Sequence, residues 1–210
     1  MPNWCFNCER IIGPRSEIVP FLEKLREWTR RNYRKNDFGH GWLGNIVLGA
    51  GFKVDGENGL YCRGVLVDAP ELCDEDEETL WISFSSQTAW CPVRKMWEEV
   101  LKRHAPNCKY IFCSGEPGMG YYAKNDRDGS FFPEDFFVDC CVEHPDLAPK
   151  GIEEIAGDMD ETTVRKFLQG FLHTDSEDTD ALVEQFHGMG DNGMFGEGNF
   201  IRIHHYEIVD

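Results

Sequence analysis

Two stretches of helical periodicity, each preceded by a strand-like run and a proline, set the limits on how this chain can fold. The first run, residues 4–12, ends at Gly13-Pro14. A helix follows over about residues 16–31, with Ile18, Phe21, Leu22, Leu25 and Trp28 recurring at its period. Ser16 is placed to cap it, and Pro20 must fall in its first turn or mark a kink. Residues 80–84 alternate as a strand, and Pro92 opens a second helix on Val93, Met96, Trp97, Val100 and Leu101. Proline is tolerated at a first helical position because the N–H it lacks would have no partner there. Further strands are predicted over residues 60–67, 109–114, 121–124 and 136–142, with turns at 115–120 and 125–129. The segment 36–59 is too rich in glycine for a regular helix. This order predicts an α+β domain over residues 1–145, its two helices on one face of an antiparallel sheet.

Beyond Pro145 the pattern changes. Val164, Phe167, Leu168, Phe171 and Leu172 mark one amphipathic helix, and Leu182, Val183 and Phe186 mark another. A glycine-rich loop over 188–198 leads into a closing strand over 200–208. Residues 146–210 are therefore expected to form a helical hairpin and final strand packed on the same domain.

Charge is lopsided, with 21 basic against 38 acidic residues and a net of −17. Residues 15–35 run the other way, at net +4, while residues 143–210 reach −12. So negative a surface disfavours nonspecific nucleic-acid binding through phosphate neutralisation and favours a basic protein partner. Two acidic runs stand out as candidate binding segments. One is Asp74, Glu75, Asp76, Glu77 and Glu78; the other holds Asp175, Glu177, Asp178 and Asp180. Each doubles as a solvated loop. The basic cluster Arg26, Arg30, Arg31, Arg34 and Lys35, beside Trp28 and Tyr33, is the feature that speaks for nucleic acid. Exposed strand aromatics would be needed too, and only Tyr110 and Phe112 stand on a predicted central strand.

Nine cysteines, an odd number, do not suggest a disulfide framework, and most are read as structural thiols. Cys5 and Cys8 are spaced like half a zinc site, but in a strand residues three apart face opposite sides, and no second such pair exists. Cys140-Cys141 and His204-His205 are split by the same alternation. No metal and no cofactor are expected. Cys91 stands just ahead of the second predicted helix, where a thiolate would be stabilised, and a substituted cap is the plainer reading. Glu116, in the 115–120 turn, is a candidate general base or a residue that holds the turn through backbone N–H groups. Trp4, Trp90 and Trp97 are read as core residues.

Three strings carry a family resemblance: Met-Pro-Asn-Trp-Cys-Phe-Asn over residues 1–7, Phe84 with Thr88-Ala89-Trp90-Cys91-Pro92, and Glu116-Pro117-Gly118. Together they resemble the YubB-type ferredoxin-like domain family, a domain of unknown function found on bacterial plasmids, phages and other mobile elements. The resemblance spans about residues 1–142 and singles out Trp4, Asn7, Thr88, Trp90, Glu116 and Gly118. Cys91 stands where the family usually has serine, and the family's Asn-Trp-Gly-Thr-Lys-Trp string is missing from the middle segment. It implies a ferredoxin-like sheet, with no iron–sulfur cluster, since the term describes topology.

The expected function is that of a mobile-element-encoded acidic interaction module. It would bind a basic surface on a host protein, and by analogy antagonise restriction or CRISPR machinery. The alternatives are a small enzyme using Glu116, Cys91 or a histidine such as His104, and a nucleic-acid-binding ferredoxin-like protein. With no signal segment and no apolar stretch of membrane-spanning length, a soluble protein of the bacterial cytoplasm is expected.

Overall fold

In the computed structural model, which describes residues 3–31, 39–74 and 80–210, the alternation of the first strand decides the layering around it. The chain divides into a unit spanning Met1–Asp126 together with Asp210, and a second spanning Arg127–Val209. The division falls after Asp126 rather than at the change of composition near Pro145.

The first unit runs β1 (Trp4–Gly13), α1 (Arg15–Arg30), α2 (Leu43–Gly49), β2 (Gly64–Leu66), β3 (Glu71–Asp74), β4 (Leu80–Ala89), α3 (Arg94–His104), β5 (Lys109–Glu116) and β6 (Tyr121–Lys124). Its strands lie in the order β6-β5-β1-β4-β2, and β3 pairs with β4 beyond the end of β2. Central β1 is antiparallel to β4, from Trp4 opposite Ala89 to Gly13 opposite Leu80, and antiparallel to β5 on its other side. Cys5, Asn7, Glu9 and Ile11 point to one face and are buried, while Trp4, Phe6 and Cys8 point to the other and are exposed.

The buried face carries both long helices. Trp97 of α3 is fully buried, its ring 5.0 Å from Phe84 of β4 and 5.9 Å from Tyr110 of β5. From α1, Ile18, Phe21, Leu22, Leu25 and Trp28 are buried, and Trp28 meets His104 of α3 edge-on at 5.0 Å.

Several expectations need correction. Pro14, not Ser16, occupies the cap position of α1, and Pro20 lies inside the helix. The second long helix begins at Arg94, two residues past Pro92. The glycine-rich middle segment does contain a helix, α2. Its Leu43, Ile46 and Val47 are fully buried, and a Cβ on Gly49 would stand 2.3 Å from the Trp28 ring. Glycine there permits close packing, which outweighs its poor helix propensity. Of the three tryptophans assigned to the core, only Trp97 is there; Trp4 and Trp90 are 37% and 41% exposed. Tyr110 and Phe112 face the helices, so among the described residues of the first unit's sheet the exposed strand aromatics are Trp4 and Phe6 instead.

The second unit holds β7 (Phe136–Cys141), β8 (Gly157–Met159), α4 (Glu161–Leu172), α5 (Thr179–Asp191), β9 (Phe200–His205) and β10 (Glu207–Ile208). Its small antiparallel sheet runs β8-β7-β9. The core gathers Phe136 and Val138 of β7, Val164 and Leu168 of α4, Phe186 of α5 and Ile203 of β9. Phe186 lies 5.4 Å from Phe171 and 4.8 Å from Phe195. The expected helical pair forms, with α5 running on through Gly188 and Gly190 to Asp191. The expected closing strand breaks at Tyr206, whose N–H donates to the Asp135 carbonyl and whose hydroxyl donates to Asp158. Both units are α+β, and among the described residues no helix is long and apolar enough to cross a membrane.

Asp178 caps α5 by accepting from the Ala181 N–H at 3.0 Å. Asp178→Ala should therefore lower stability by about 1 kcal/mol, read by urea denaturation followed by circular dichroism. A shift within a few tenths of wild type would show the cap to be dispensable.

Candidate functional site

The residues singled out by the resemblance, far apart in sequence, meet at one end of the first unit's sheet. Register places Trp4 opposite Ala89 and Phe6 opposite Gly115, which brings the ends of β4 and β5 to the start of β1. The Trp90 N–H donates to the Asn3 carbonyl at 3.0 Å. A Cβ on Gly118 would stand 2.6 Å from the Asn3 side-chain nitrogen, so glycine lets the turn after β5 pass the first strand.

Asn7 ties the three central strands together from within. Its Nδ2 donates to Thr88 Oγ1 at 2.9 Å and Ser86 Oγ at 3.1 Å, with the Cys5 and Ser86 carbonyls at 3.3 Å. Its Oδ1 accepts from Ser114 Oγ at 2.8 Å and from the Cys5 thiol at 3.4 Å. Thr88 in turn donates to the Cys91 carbonyl at 2.8 Å. That bond and the Asn3–Trp90 bond flank Trp90, whose φ of 73° lies in the left-handed region, which bulky side chains rarely enter. Sequence reasoning missed Ser86 and Ser114. The available signal was their phase: each is a polar residue on the buried face of an alternating strand, where it must find a partner.

Glu116 is 2% exposed, and its two oxygens accept separately from the Gly118 N–H at 2.9 Å and the Met119 N–H at 2.8 Å. The carboxylate caps the short 3-10 turn Pro117–Met119, so both its oxygens are engaged in the structural role. Cys91 is exposed and lies outside α3, whose cap position is Val93, so it is not a helix cap. Burial pushes the Cys5 thiol up to about 12, and the nearby Cys91 and Glu116 add to the effect, which makes Cys5 a poor nucleophile at neutral pH. His104 is held between the Ala50 carbonyl and Lys24.

A second missed residue lies one alternation further along β1. Glu9 is fully buried, and one oxygen, Oε1, accepts from both Tyr110 OH at 2.7 Å and Trp97 Nε1 at 3.0 Å. Among the described residues its other oxygen closes no hydrogen bond. Burial raises its pKa to about 7, against the pull of Ser86, Tyr110 and Trp97.

The acidic candidates have varied fates. Asp74 ends β3, while Glu75, Asp76, Glu77 and Glu78 lie outside the described residues. In the second segment Asp178 is the cap of α5, Asp180 meets His205 at 3.1 Å, and Glu177 meets Arg165 at 3.4 Å. Asp175 is exposed. Among the basic cluster, Arg26 and Arg30 line a shallow cavity of about 380 Å3 and Arg31 pairs with Glu27, while Tyr33, Arg34 and Lys35 lie outside the described residues. Cys5 and Cys8 face opposite sides of the sheet. Among the described residues no group of three or more His, Cys, Asp or Glu side chains is placed to hold a metal ion.

Comparison with models of protein families, with curated proteins and with solved structures finds no match to this chain.

Proposed function

We propose that the protein is an interaction module in which a ferredoxin-like unit is joined to an acidic unit that docks on a basic protein surface. One observation carries the reading, the partition of charge. Residues 127–209 hold nineteen acidic and five basic side chains, net −14 of the chain's −17. Exposed Asp146, Glu153, Glu154, Asp175, Glu184 and Glu197 make no ion pair among the described residues. These uncompensated carboxylates are better candidates than Asp178 or Asp180, which are committed to local structure. A dense field of one sign steers a partner of the other sign and disfavours like-charged ones.

The strand order β5-β1-β4-β2, with α1 and α3 as the crossovers, supports the ferredoxin-like topology. The resemblance to the YubB-type family supports a mobile-element origin. By analogy it supports a restriction or CRISPR effector as the partner, its nucleic-acid groove supplying the basic surface. The enzymatic alternative is weakened by the engagement of both Glu116 oxygens in holding the turn.

A small basic protein, lysozyme, serves as the probe. Its affinity should fall by roughly tenfold between low and physiological salt as the charges are screened. Neutralising Glu153, Glu154 and Glu184 to glutamine should weaken binding several-fold more than neutralising Asp55, Glu98 and Glu99 of the first unit. Equal weakening by the two triple variants would reduce the effect to net charge and remove the surface.

A further inference from the structure

The second unit contains two lysines, Lys150 and Lys166, and they are treated unlike its paired arginines. Arg165 is paired with Glu161 and Glu177, and Arg202 with Asp191. Neither lysine makes an ion pair or hydrogen bond among the described residues, although the unit is crowded with carboxylates. Both border the same cavity, of about 550 Å3. That volume is in the range of small-molecule sites.

Apart from His173, which also borders it, the other side chains of the wall are apolar. Phe167 and Phe171 come from α4, and Phe195, Leu147 and Met194 from the connecting loops. Leu147 and Met194 are 54% and 56% exposed, so apolar surface here is left for water to cover. Gly170 of α4 also lines the cavity, and a Cβ there would meet no atom within 4 Å. A cationic ligand would be repelled by both lysines. An apolar wall beside two uncompensated ammonium groups suits the reverse combination, a hydrocarbon body with one negative head.

We infer that the cavity of the second unit binds an amphiphilic carboxylate, its alkyl chain against Phe167, Phe171 and Phe195 and its head met by Lys150 and Lys166. The site is independent of the acidic docking surface, and either reading can fail alone. Apolar burial provides the attraction, and the ammonium groups select the charge of the head.

Isothermal titration of the full chain with decanoate, well below its micellar range, tests the assignment, with 1-decanol and decyltrimethylammonium as comparison probes. Decanoate should bind saturably at one site, 1-decanol about tenfold or more weaker, and the cation more weakly still. Lys150→Gln/Lys166→Gln should bring decanoate down to the level of 1-decanol and leave 1-decanol unchanged. Gly170→Leu replaces a poor helix former and fills the open space, so it should keep or raise the melting temperature while abolishing both. Absence of saturable decanoate binding, equal affinity for decanoate and the cation, or undiminished binding to a folded Gly170→Leu chain would each overturn the inference.

Discussion

Asn7→Ala is expected to destabilise the first unit by about 3 kcal/mol, well beyond the loss of one ordinary hydrogen bond. The side chain is 2% exposed and stands at the centre of three strands. Its removal strands the buried Ser114 hydroxyl on β5 and takes from the buried Ser86 and Thr88 side chains on β4 the donor they accept from, although Thr88 keeps its bond to the Cys91 carbonyl. Each stranded group costs about 1–3 kcal/mol, and an alanine cavity too small for well-bonded water cannot rescue them. Asn7→Asp should be no better. It keeps the acceptor towards Ser114 but turns an oxygen towards the Ser86 carbonyl and brings a further carboxylate into a face that already buries Glu9 and Glu116. Ser114→Ala alone should cost only about 1 kcal/mol, because Asn7 Oδ1 keeps the Cys5 thiol. The six tryptophans all lie within residues 1–126, so tryptophan fluorescence during urea unfolding reports on this unit specifically. A loss for Asn7→Ala below about 1 kcal/mol would show that the network is not what holds the strands in register.

The behaviour of Asn7 also shows where the sequence was readable and where it was not. Local periodicity reported the faces of α1, α3, α4 and α5 correctly, because each buries one stripe and the stripe is written at the helical period. Alternation separated Cys5 from Cys8 for the same reason. It failed at α2, where glycine serves packing against Trp28, and at Trp4 and Trp90, where size was taken to mean burial although strand phase turns Trp4 outward. The meeting of Asn7 with Thr88 and Ser114 depends on a register set across three strands, and no local signal encodes it. Glu9 was legible, since it shares the phase of Cys5, Asn7 and Ile11, but a charged residue is ordinarily assigned to the solvent side. The acidic segment 175–180 was visible as composition. Its division into cap, ion pair and exposed carboxylate required the positions of Ala181, Arg165 and His205.

Glu9 should make the first unit less stable as pH rises through the neutral range. Its pKa stands at about 7 in the folded protein against an ordinary 4.5, and burial is the leading cause. Below about 4.5 the carboxyl is protonated in both states, and whatever stability it contributes is fully present. Between about 4.5 and 7 the folded chain holds a proton that the unfolded chain has released. Stability therefore falls with rising pH across this window, by roughly 3 kcal/mol in total, and the contribution levels off above it. The geometry agrees with the direction. Trp97 and Tyr110 both donate to the single oxygen Oε1, as suits the carbonyl oxygen of a neutral acid, and among the described residues Oε2 closes no hydrogen bond, so the pull of Ser86 on the charge does not offset burial. Glu9→Gln keeps an acceptor for both donors and removes the titration. At pH 8 it should stabilise the unit by about 2 kcal/mol, and near pH 5 it should change little. The quantity to measure is the difference between variant and wild type across pH, followed by tryptophan fluorescence, because the other carboxylates cancel in it. A difference that is flat from pH 5 to 8, or a Glu9 carboxyl that titrates below about 5.5 by carbon-13 NMR, would mean that water reaches this side chain and that the core of the first unit is looser than its packing implies.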